Sequence, residues 1–478
     1  MTLPDLDTGD RPTTSVWDYG AARQDAVIKF AKRGGLFING RFVKPNSRNY
    51  RPSVNPATGR QLCRVADADA ADVDDAVTAA KSALRPWTRL KPKHRTRMLL
   101  RIAQLVENRA DELAAVAATD EGTPIRLARE QVRLAARIWR YDAGWCDKLP
   151  YLLPGGRPKP VGVCGLILPP GSTILAASLE LAAALACGNC CILIPDSDAA
   201  LAVLRLARIL QHADLPHGVV NVVTGTDRAP RALAAHRAVK RIVLDATPEI
   251  AETLAAHGPP SRARISLSRP GAVPQVIFED ASIDQAVEGA VLSAFMIPDG
   301  PNLAPTPLFV QESVLDEVRA KLRDRLGSLR LGDPLDVNTD VGPLLHEDQL
   351  HAVRRFLDDA VRAGAKLYEA GQPPLPDRGF WQRPCLLAGM PPAPRAIPLP
   401  LHGPVLTLTS FRTPAEALAA LNALTTAHAA AIWTDKGAKM FEFARRLNVP
   451  IAWCNSCRRF DPAAPPAGVA AIRPYLDG

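Results

Sequence analysis

A buried β-strand is predicted over Val161-Gly162-Val163-Cys164-Gly165-Leu166-Ile167-Leu168, because this run is almost wholly apolar and leads into a Pro169-Pro170-Gly171 turn. Beyond it, helical and strand periodicities alternate. Helices are expected at 173–186, 199–213 and 228–236, and strands at 190–194, 219–223 and 241–244. Strands that alternate with helices are joined by right-handed crossovers into a parallel, doubly wound sheet. Such sheets bind ligands beyond the carboxyl ends of their strands.

The flanking regions extend this pattern into an α/β protein with two doubly wound domains. A second alternating region runs from about 275 to 455, and residues 69 to about 149 have an amphipathic helical pattern. A strand pair is expected at 36–40 and 41–43, joined by a turn that contains Asn39-Gly40. Residues 1–36 are expected to form a polar N-terminal extension. The 478 residues suffice for two or three domains.

Composition and charge exclude several classes of protein. With 47% hydrophobic and 22% charged residues, the chain is neither disordered nor a coiled coil. The net charge of +9 is spread over a long chain. Basic blocks such as Lys91-Pro92-Lys93-His94-Arg95 have no interleaved aromatic residues to stack on bases. A solvated basic face is therefore favoured over nucleic-acid binding.

No export signal or membrane anchor is expected. Residues 1–18 are polar and acidic, without the basic and apolar regions of a signal peptide. The apolar run 173–195 is interrupted by Glu180 and split by Gly188-Asn189, so it is too broken for a membrane helix. A soluble, cytoplasmic protein is expected.

The nine cysteines are interpreted as buried small hydrophobic residues. Their number is odd and no secretory context accompanies them, which argues against a disulfide framework. Two Cys-x-x-Cys pairs occur, Cys187 with Cys190 and Cys454 with Cys457. A zinc site would require the two pairs to meet in space. No metal site is expected.

Several motifs, in this order and spacing, resemble the aldehyde dehydrogenase superfamily over most of the chain. They are Leu36-Phe37-Ile38-Asn39-Gly40, Val54-Asn55-Pro56-Ala57-Thr58-Gly59, Tyr141-Asp142-Ala143-Gly144-Trp145, Pro160-Val161-Gly162-Val163-Cys164-Gly165, the stretch 215–225, Leu331-Gly332-Asp333-Pro334-Leu335, Thr339-Asp340-Val341-Gly342-Pro343-Leu344 and Gly403-Pro404-Val405. The resemblance implies a Rossmann-like cofactor domain (37–149 and 160–267) and a catalytic-type α/β domain (268–457). It also implies an oligomerisation hairpin, shortened here to 150–159, and a C-terminal segment (458–478).

The resemblance also implies a mechanism. A cysteine thiolate attacks an aldehyde, and the adduct passes hydride to NAD or NADP. A glutamate then activates water to hydrolyse the thioester, while an asparagine side chain and a backbone amide stabilise the oxyanion.

The three catalytic side chains implied by the family are all replaced. Counting back from Leu308-Phe309-Val310 puts Asn302 at the position of the nucleophile, and no cysteine occurs between Cys191 and Cys385. Ser268 stands at the general base and Gly171 at the oxyanion asparagine. The nearby hydroxyls of Ser293 and Thr306 have no adjacent histidine to serve as base.

The cofactor contacts implied by the family are replaced as well. Ile194 and Ser197 stand where a lysine and a glutamate are usual. The segment that usually approaches the pyrophosphate is Leu244-Asp245-Ala246-Thr247-Pro248-Glu249-Ile250-Ala251, with alanines in place of both glycines. Pro400 replaces the glutamate of the nicotinamide ribose. Binding of NAD or NADP is therefore predicted to be lost or weak.

Three functions are weighed on this basis. The first is a pseudoenzyme that acts as partner or regulatory subunit, for instance of an active aldehyde dehydrogenase paralogue. The second is a working NAD(P)-dependent aldehyde dehydrogenase in which other residues substitute. The third is a different enzyme, or a small-ligand-binding protein, that uses the same cleft with Asp299, His402 and Asp245. For His402 a backbone-bonded loop histidine is the simpler interpretation, and for Asp299-Gly300 a turn.

The assembly is also expected to be altered. Only ten residues, 150–159, are left for the oligomerisation hairpin, and the C-terminal segment has room for one short strand. A homodimer paired through a helix face remains open.

Overall fold

The computed structural model describes residues 28, 30–152, 158–169, 171, 173–245, 263–268, 273–296, 306–371, 374–389, 403–424, 427, 429–457, 459, 461–464 and 467–477. Asp245, Leu267 and Ser268 are described by their backbone.

The strands of the described residues form two large sheets and two small ones. They are β1 (Arg33–Gly34), β2 (Leu36–Ile38), β3 (Arg41–Val43), β4 (Tyr50–Asn55), β5 (Arg60–Ala66), β6 (Lys159–Pro160), β7 (Val163–Ile167), β8 (Cys190–Ile194), β9 (Val220–Val222), β10 (Val239–Asp245), β11 (Arg264–Ser268), β12 (Gln275–Ile277), β13 (Thr306–Gln311), β14 (Lys366–Glu369), β15 (Cys385–Ala388), β16 (Val405–Phe411), β17 (Ala429–Trp433), β18 (Ile451–Cys454) and β19 (Leu476–Asp477).

The helices lie between these strands along the chain. They are α1 (Ala70–Arg89), α2 (Pro92–Asn108), α3 (Ala110–Glu121), α4 (Ile125–Ala143), α5 (Thr173–Ala186), α6 (Leu201–Gln211), α7 (Arg228–Ala235), α8 (Ile283–Phe295), α9 (Leu315–Gly327), α10 (Glu347–Arg362), α11 (Pro414–Asn422), α12 (Gly437–Arg446) and α13 (Gly468–Ile472).

The first large sheet has the strand order β11-β10-β7-β8-β9-β2-β3. Its five strands from β11 to β9 are parallel, and β2 and β3 add an antiparallel hairpin at one edge. The hairpin turn places Asn39 and Gly40 at φ of 51° and 75°. Two consecutive positive φ values are those of a type I′ turn, for which Asn-Gly is the favoured pair. The predicted strand pair is therefore confirmed.

The second large sheet has the order β14-β15-β16-β13-β12-β17-β18. All of its pairings are parallel except that of β14 with β15. Each large sheet is covered by helices and has an apolar core of its own. The predicted α/β architecture with two doubly wound sheets is confirmed.

The prediction was most accurate around the first buried strand. Helix α5 and strand β8 have the predicted limits, whereas the predicted strand 161–168 shortens to β7. It begins late because Gly162 has a φ of 127° and donates its N–H to the side-chain Oδ1 of Asn189 at 2.8 Å and not to a strand carbonyl. The predicted helix 199–213 shortens to α6. The N–H of Leu201, the first residue of α6, donates a hydrogen bond of 2.8 Å to Asp120 Oδ2.

The two ends of the described chain pack on the first large sheet. Strand β1 pairs with β5 in a three-stranded sheet with β4, so regular pairing begins at Arg33. Near the other end, Ile472 and Tyr475 are buried in the first core, and β19 pairs with β6. Residues 153–157 of the predicted hairpin lie outside the described residues. Among those described, no helix has both the length and the apolar character needed to cross a bilayer.

Candidate functional site

The candidate site lies at the carboxyl edge of the first large sheet. The register pairs Ile167, the last residue of β7, with Ile194 of β8 and with Leu244 of β10. One step further, Asp245 pairs with Ser268 at the end of β11. Four strand ends therefore meet at one edge, which is where doubly wound sheets bind ligands. The backbones of Ile194, Asp245 and Ser268 are brought together there.

Ile194 closes β8 with an apolar, fully buried side chain. Its carbonyl oxygen accepts a hydrogen bond of 2.9 Å from the N–H of Leu168, which holds the ends of β7 and β8 together. The side chain itself has no group that can hydrogen-bond or carry charge. It offers nothing to the hydroxyl of a ribose or to a phosphate.

The loop after β8 is acidic and is held by an ion pair. Asp198 Oδ1 lies 2.6 Å from Arg51 Nη2 of β4, and the N–H of Asp198 donates to Asp196 Oδ1 at 2.8 Å. Burial raises the pKa of Asp196, and the charge of Asp198 adds to this, while His346 and Arg51 oppose it. Ser197 lies half-buried between the two aspartates. Two carboxyl groups thus flank the position of the predicted ribose contact.

Gly171 lies in the turn between β7 and α5 with a φ of 79°, a conformation that glycine adopts without strain. Helix α5 begins two residues later at Thr173, whose hydroxyl donates to the carboxylate of Glu121. Gly171 has no side chain to place in the cleft. The oxyanion position predicted here therefore has no side-chain donor.

Two consecutive carboxyl groups at the end of α3 face the beginnings of α5 and α6. Glu121 binds Thr173 of α5, and Asp120 accepts hydrogen bonds from the N–H of Leu201 and, at 3.1 Å, from Ser53 Oγ. Burial, and secondarily the charge of Glu121, raises the pKa of Asp120 well above its usual value. The sequence analysis did not single out these residues. The sequence feature that could have indicated them is a pair of acidic residues at the end of a helix, directly before Gly122, which has a φ of 74°.

All nine cysteines lie within the described residues, and seven of them are buried. Burial raises the pKa of Cys63 to about 11 and that of Cys190 to about 12. The pKa of each of the other five buried thiols is raised for the same reason; they are Cys146, Cys164, Cys187, Cys191 and Cys385. A cysteine nucleophile acts as its thiolate, which these surroundings disfavour.

The remaining two thiols lie at the far edge strand of the second sheet. Cys454 ends β18 and is exposed, and desolvation raises its pKa as well. Cys457 is half-buried, with its Sγ 3.1 Å from the carbonyl oxygen of Gly289 in α8. The pair Cys187 and Cys190 lies in the first core, so the two Cys-x-x-Cys pairs do not meet. Among the described residues, no group of three or more His, Cys, Asp or Glu could hold a metal ion.

Several predicted positions lie outside the described residues. These are Ala246, Thr247, Asp299, Asn302, Pro400 and His402. The hydroxyls that flank Asn302 along the chain are described. Ser293 in α8 and Thr306 in β13 are both buried, and neither hydroxyl has a hydrogen-bond partner within the described part of the chain.

Comparisons with known proteins agree on one family. The aldehyde dehydrogenase family model matches residues 42–471. A mitochondrial aldehyde dehydrogenase of Homo sapiens is 32% identical over 447 residues, which cover 91% of this chain and 86% of that protein. A (Z)-2-((N-methylformamido)methylene)-5-hydroxybutyrolactone dehydrogenase of Acinetobacter baylyi is 31% identical over 447 residues, 91% of each chain. The solved structure of PnpE from Pseudomonas sp. WBC-3 superposes with a TM-score of 0.88 at 30% identity, covering 93% of this chain and 96% of that one.

Proposed function

The chain belongs to the aldehyde dehydrogenase family, and from this premise we propose that it is a member that does not oxidise aldehydes and acts as a partner or regulatory subunit. The observation that carries the proposal is the distribution of thiols. No cysteine occurs between Cys191 and Cys385, and Asn302 stands where the family's nucleophile is expected. An amide is not a nucleophile, and loss of a nucleophile alone can lower turnover on the order of a millionfold.

Further support comes from the base and the oxyanion donor. A serine at 268, at the end of β11, cannot take a proton from water at neutral pH. Gly171 supplies no amide side chain to stabilise an oxyanion. Because the nucleophile, the base and the oxyanion donor have different chemical roles, one compensating residue would not restore the reaction.

The described residues at the carboxyl edge lack two side chains with which the family usually holds the ribose of NAD or NADP. Ile194 is buried and apolar, and Asp196 and Asp198 place carboxyl groups beside the position of the ribose contact. The lysine and the glutamate that are usual at positions 194 and 197 are therefore both missing. We therefore infer that dinucleotide binding is lost or weak.

A second candidate function is NAD(P)-dependent oxidation of an aldehyde to a carboxylic acid. The names of the dehydrogenase relatives favour it, and one solved PnpE structure contains nicotinamide adenine dinucleotide. A third is a small-ligand site or another enzyme in the same cleft, with Asp299, His402 and Asp245 as its candidate acids and bases. We expect the protein to act in the cytoplasm, as a homodimer or with an active paralogue.

Two measurements separate these functions. Thermal unfolding is measured with NAD or NADP at concentrations of up to about 10 mM, and an active aldehyde dehydrogenase serves as the positive control. A ligand at about 100 times its dissociation constant stabilises the folded protein by about 2.7 kcal/mol. Aldehyde-dependent formation of NADH is then recorded over a panel of aldehydes. We expect no cofactor-induced stabilisation and no NADH.

Turnover of any aldehyde above the rate of a heat-treated sample would refute the proposal. In that case Cys454→Ser and Cys457→Ser test whether either accessible thiol is the nucleophile, with the buried Cys63→Ser as the matched control. For the subunit role, mixing with an active paralogue must change the stability or the turnover of that paralogue. No change in either quantity contradicts that role.

A further inference from the structure

We propose that the exposed basic side chains of α1 and α2 form a docking surface for an acidic segment of a partner protein. This basic ridge consists of Arg85, Arg89, Lys91, Lys93, Arg97 and Arg101. The chain has no aspartate or glutamate between Asp75 and Glu107, so no acidic residue interrupts the ridge. The proposal does not rest on the loss of aldehyde oxidation.

All six side chains of the basic ridge are exposed. Arg95, which lies among them in sequence, is buried, and its Nη1 donates to the carbonyl oxygen of Leu90 at 2.8 Å. Arg95 therefore stabilises the junction of the two helices, whereas the six others point their charges outward. Packing inside the protein therefore accounts for Arg95 but not for the six basic residues of the ridge.

None of the six forms an ion pair with any residue that the structure describes. The neighbouring helix α4 differs, since four of its arginines each face an acid. The pairs are Arg126–Asp340, Arg129–Asp111, Arg133–Glu130 and Arg140–Glu107. Like charges left together destabilise a folded chain by mutual repulsion, and surfaces usually mix both signs. An acidic partner would remove that repulsion.

The packing of the two helices fixes the ridge on the outside of the fold. Helix α1 buries Val77, Ala80 and Trp87, and α2 buries Leu99 and Ile102. Only two residues, Leu90 and Lys91, separate α1 from α2, so the ridge residues of the two helices follow one another along the chain at this corner. Residues four apart on a helix are separated by about 6 Å along its axis. Arg97 and Arg101, and likewise Lys93 and Arg97, are thus spaced to face carboxylates four residues apart on a partner helix.

The chemistry of the ridge favours an acidic protein over the other polyanions. The one Phe, Tyr or Trp residue of α1 and α2, Trp87, is fully buried and cannot stack on a base. A helix that lies on a membrane needs a broad apolar face toward the lipid. Here the apolar faces of α1 and α2 are packed on the body of the protein, and Leu100 is the sole large apolar side chain exposed on either helix.

The test uses the full-length protein and poly-L-glutamate as the acidic probe. Binding is measured by fluorescence anisotropy in low and high salt, followed by zero-length coupling of carboxylates to lysines with a carbodiimide. We expect salt-sensitive binding, and we expect Lys91 and Lys93 to be the principal cross-linked lysines. Coupling that is spread evenly over the lysines of the chain would overturn the proposal.

A triple variant and a matched control separate the ridge from net charge. Arg85→Gln, Arg97→Gln and Arg101→Gln together should weaken binding at least tenfold. The control combines Arg133→Gln, Arg362→Gln and Arg446→Gln, exposed arginines that each have an acidic neighbour on their own helix. Both variants lower the net charge equally, from +9 by three. Equal weakening in both, or tighter binding to anionic phospholipid vesicles or duplex RNA than to poly-L-glutamate, would contradict the proposal.

Discussion

Arg126 of helix α4 forms an ion pair with Asp340, which lies in the loop between α9 and α10. Arg126 Nη2 lies 2.6 Å from Asp340 Oδ1, and Asp340 Oδ2 accepts a hydrogen bond of 2.9 Å from the N–H of Arg330. The Asp340 side chain is fully buried, whereas that of Arg126 is 19% exposed. Beside them the N–H of Ile125 donates to the carbonyl oxygen of Pro334 at 2.7 Å. The carboxylate of Asp340 thus organises both sides of this junction.

Arg126→Ala should destabilise the protein by about 2–4 kcal/mol, because it removes the main cationic partner of a buried carboxylate. Urea unfolding measures the change. Arg133→Ala is the control, since Arg133 forms an exposed pair with Glu130 and should cost less than about 1 kcal/mol. Equal losses in the two variants would show that burial of Asp340 does not control the energy of the junction.

The junction also depends on a close approach between two glycines. A Cβ at Gly342 would overlap the carbonyl oxygen of Gly122. Gly342→Ala should therefore lower the stability by about 1–3 kcal/mol through a forced backbone shift. Gly327→Ala, where a Cβ would meet no atom within 4 Å, serves as control and should change it by less than about 1 kcal/mol. A melting temperature of Gly342→Ala equal to that of the control would disprove this account.

Asp142 should make the stability depend on pH. Burial, and secondarily the charge of Glu180, raises its pKa to about 8. The folded state therefore holds a proton that the unfolded state releases near pH 4, so this stabilisation is complete below about pH 4 and is lost as the pH rises through about 8. Between pH 5 and 8 the protein should lose roughly 1.4 kcal/mol per pH unit relative to Asp142→Asn.

The measurement is the free energy of unfolding in urea at several pH values for both proteins. Asp147→Asn, at an exposed carboxylate five residues further along, is the control and should follow the unmodified protein. Parallel curves for the unmodified protein and Asp142→Asn would mean that Asp142 is not the titrating group.

The thiols should divide into two classes. In the native protein at most two, Cys454 and Cys457, should react rapidly with a disulfide reagent, and the seven buried thiols should react only on unfolding. Counting the released chromophore before and after denaturant measures both classes. Cys454→Ser should remove one rapidly reacting thiol, while Cys63→Ser should remove none. Rapid reaction of three or more thiols would contradict the buried positions.

The sequence predicts the first sheet best where burial is continuous. Strand β8 is apolar throughout and helix α5 is mostly apolar, so their limits follow from composition and from the Gly188-Asn189 break. Strand β4 was not predicted because Pro52 and its polar neighbours hide the alternation. Its role, pairing with β5 and presenting Arg51 to Asp198, depends on a contact between distant parts of the chain.

The candidate functional site, too, could be predicted from the sequence only in part. The family resemblance implies the roles of positions 194, 268 and 171. The common edge of Ile194 and Ser268 follows from parallel strand order. In the sequence, Asp120 and Glu121 indicate only the end of a helix. Their bonds to Leu201 and Thr173 span 81 and 52 residues, and no local pattern encodes them. The parts assigned to Asn302, Ala246, Thr247 and Pro400 stay predictions.

Burial of Ile472 and Tyr475 in the first core affects how the protein is made. Strand β11, the last strand of the first sheet along the chain, ends at residue 268. About 200 further residues must be synthesised before these side chains leave the ribosome. At 5 to 20 residues per second, that interval is roughly 10–40 s. During this time the first core lacks three of its buried side chains, those of Ile472, Tyr475 and Leu476, and exposes the apolar surface that they cover. A nascent chain stalled before residue 468 should therefore bind chaperones that recognise such surface.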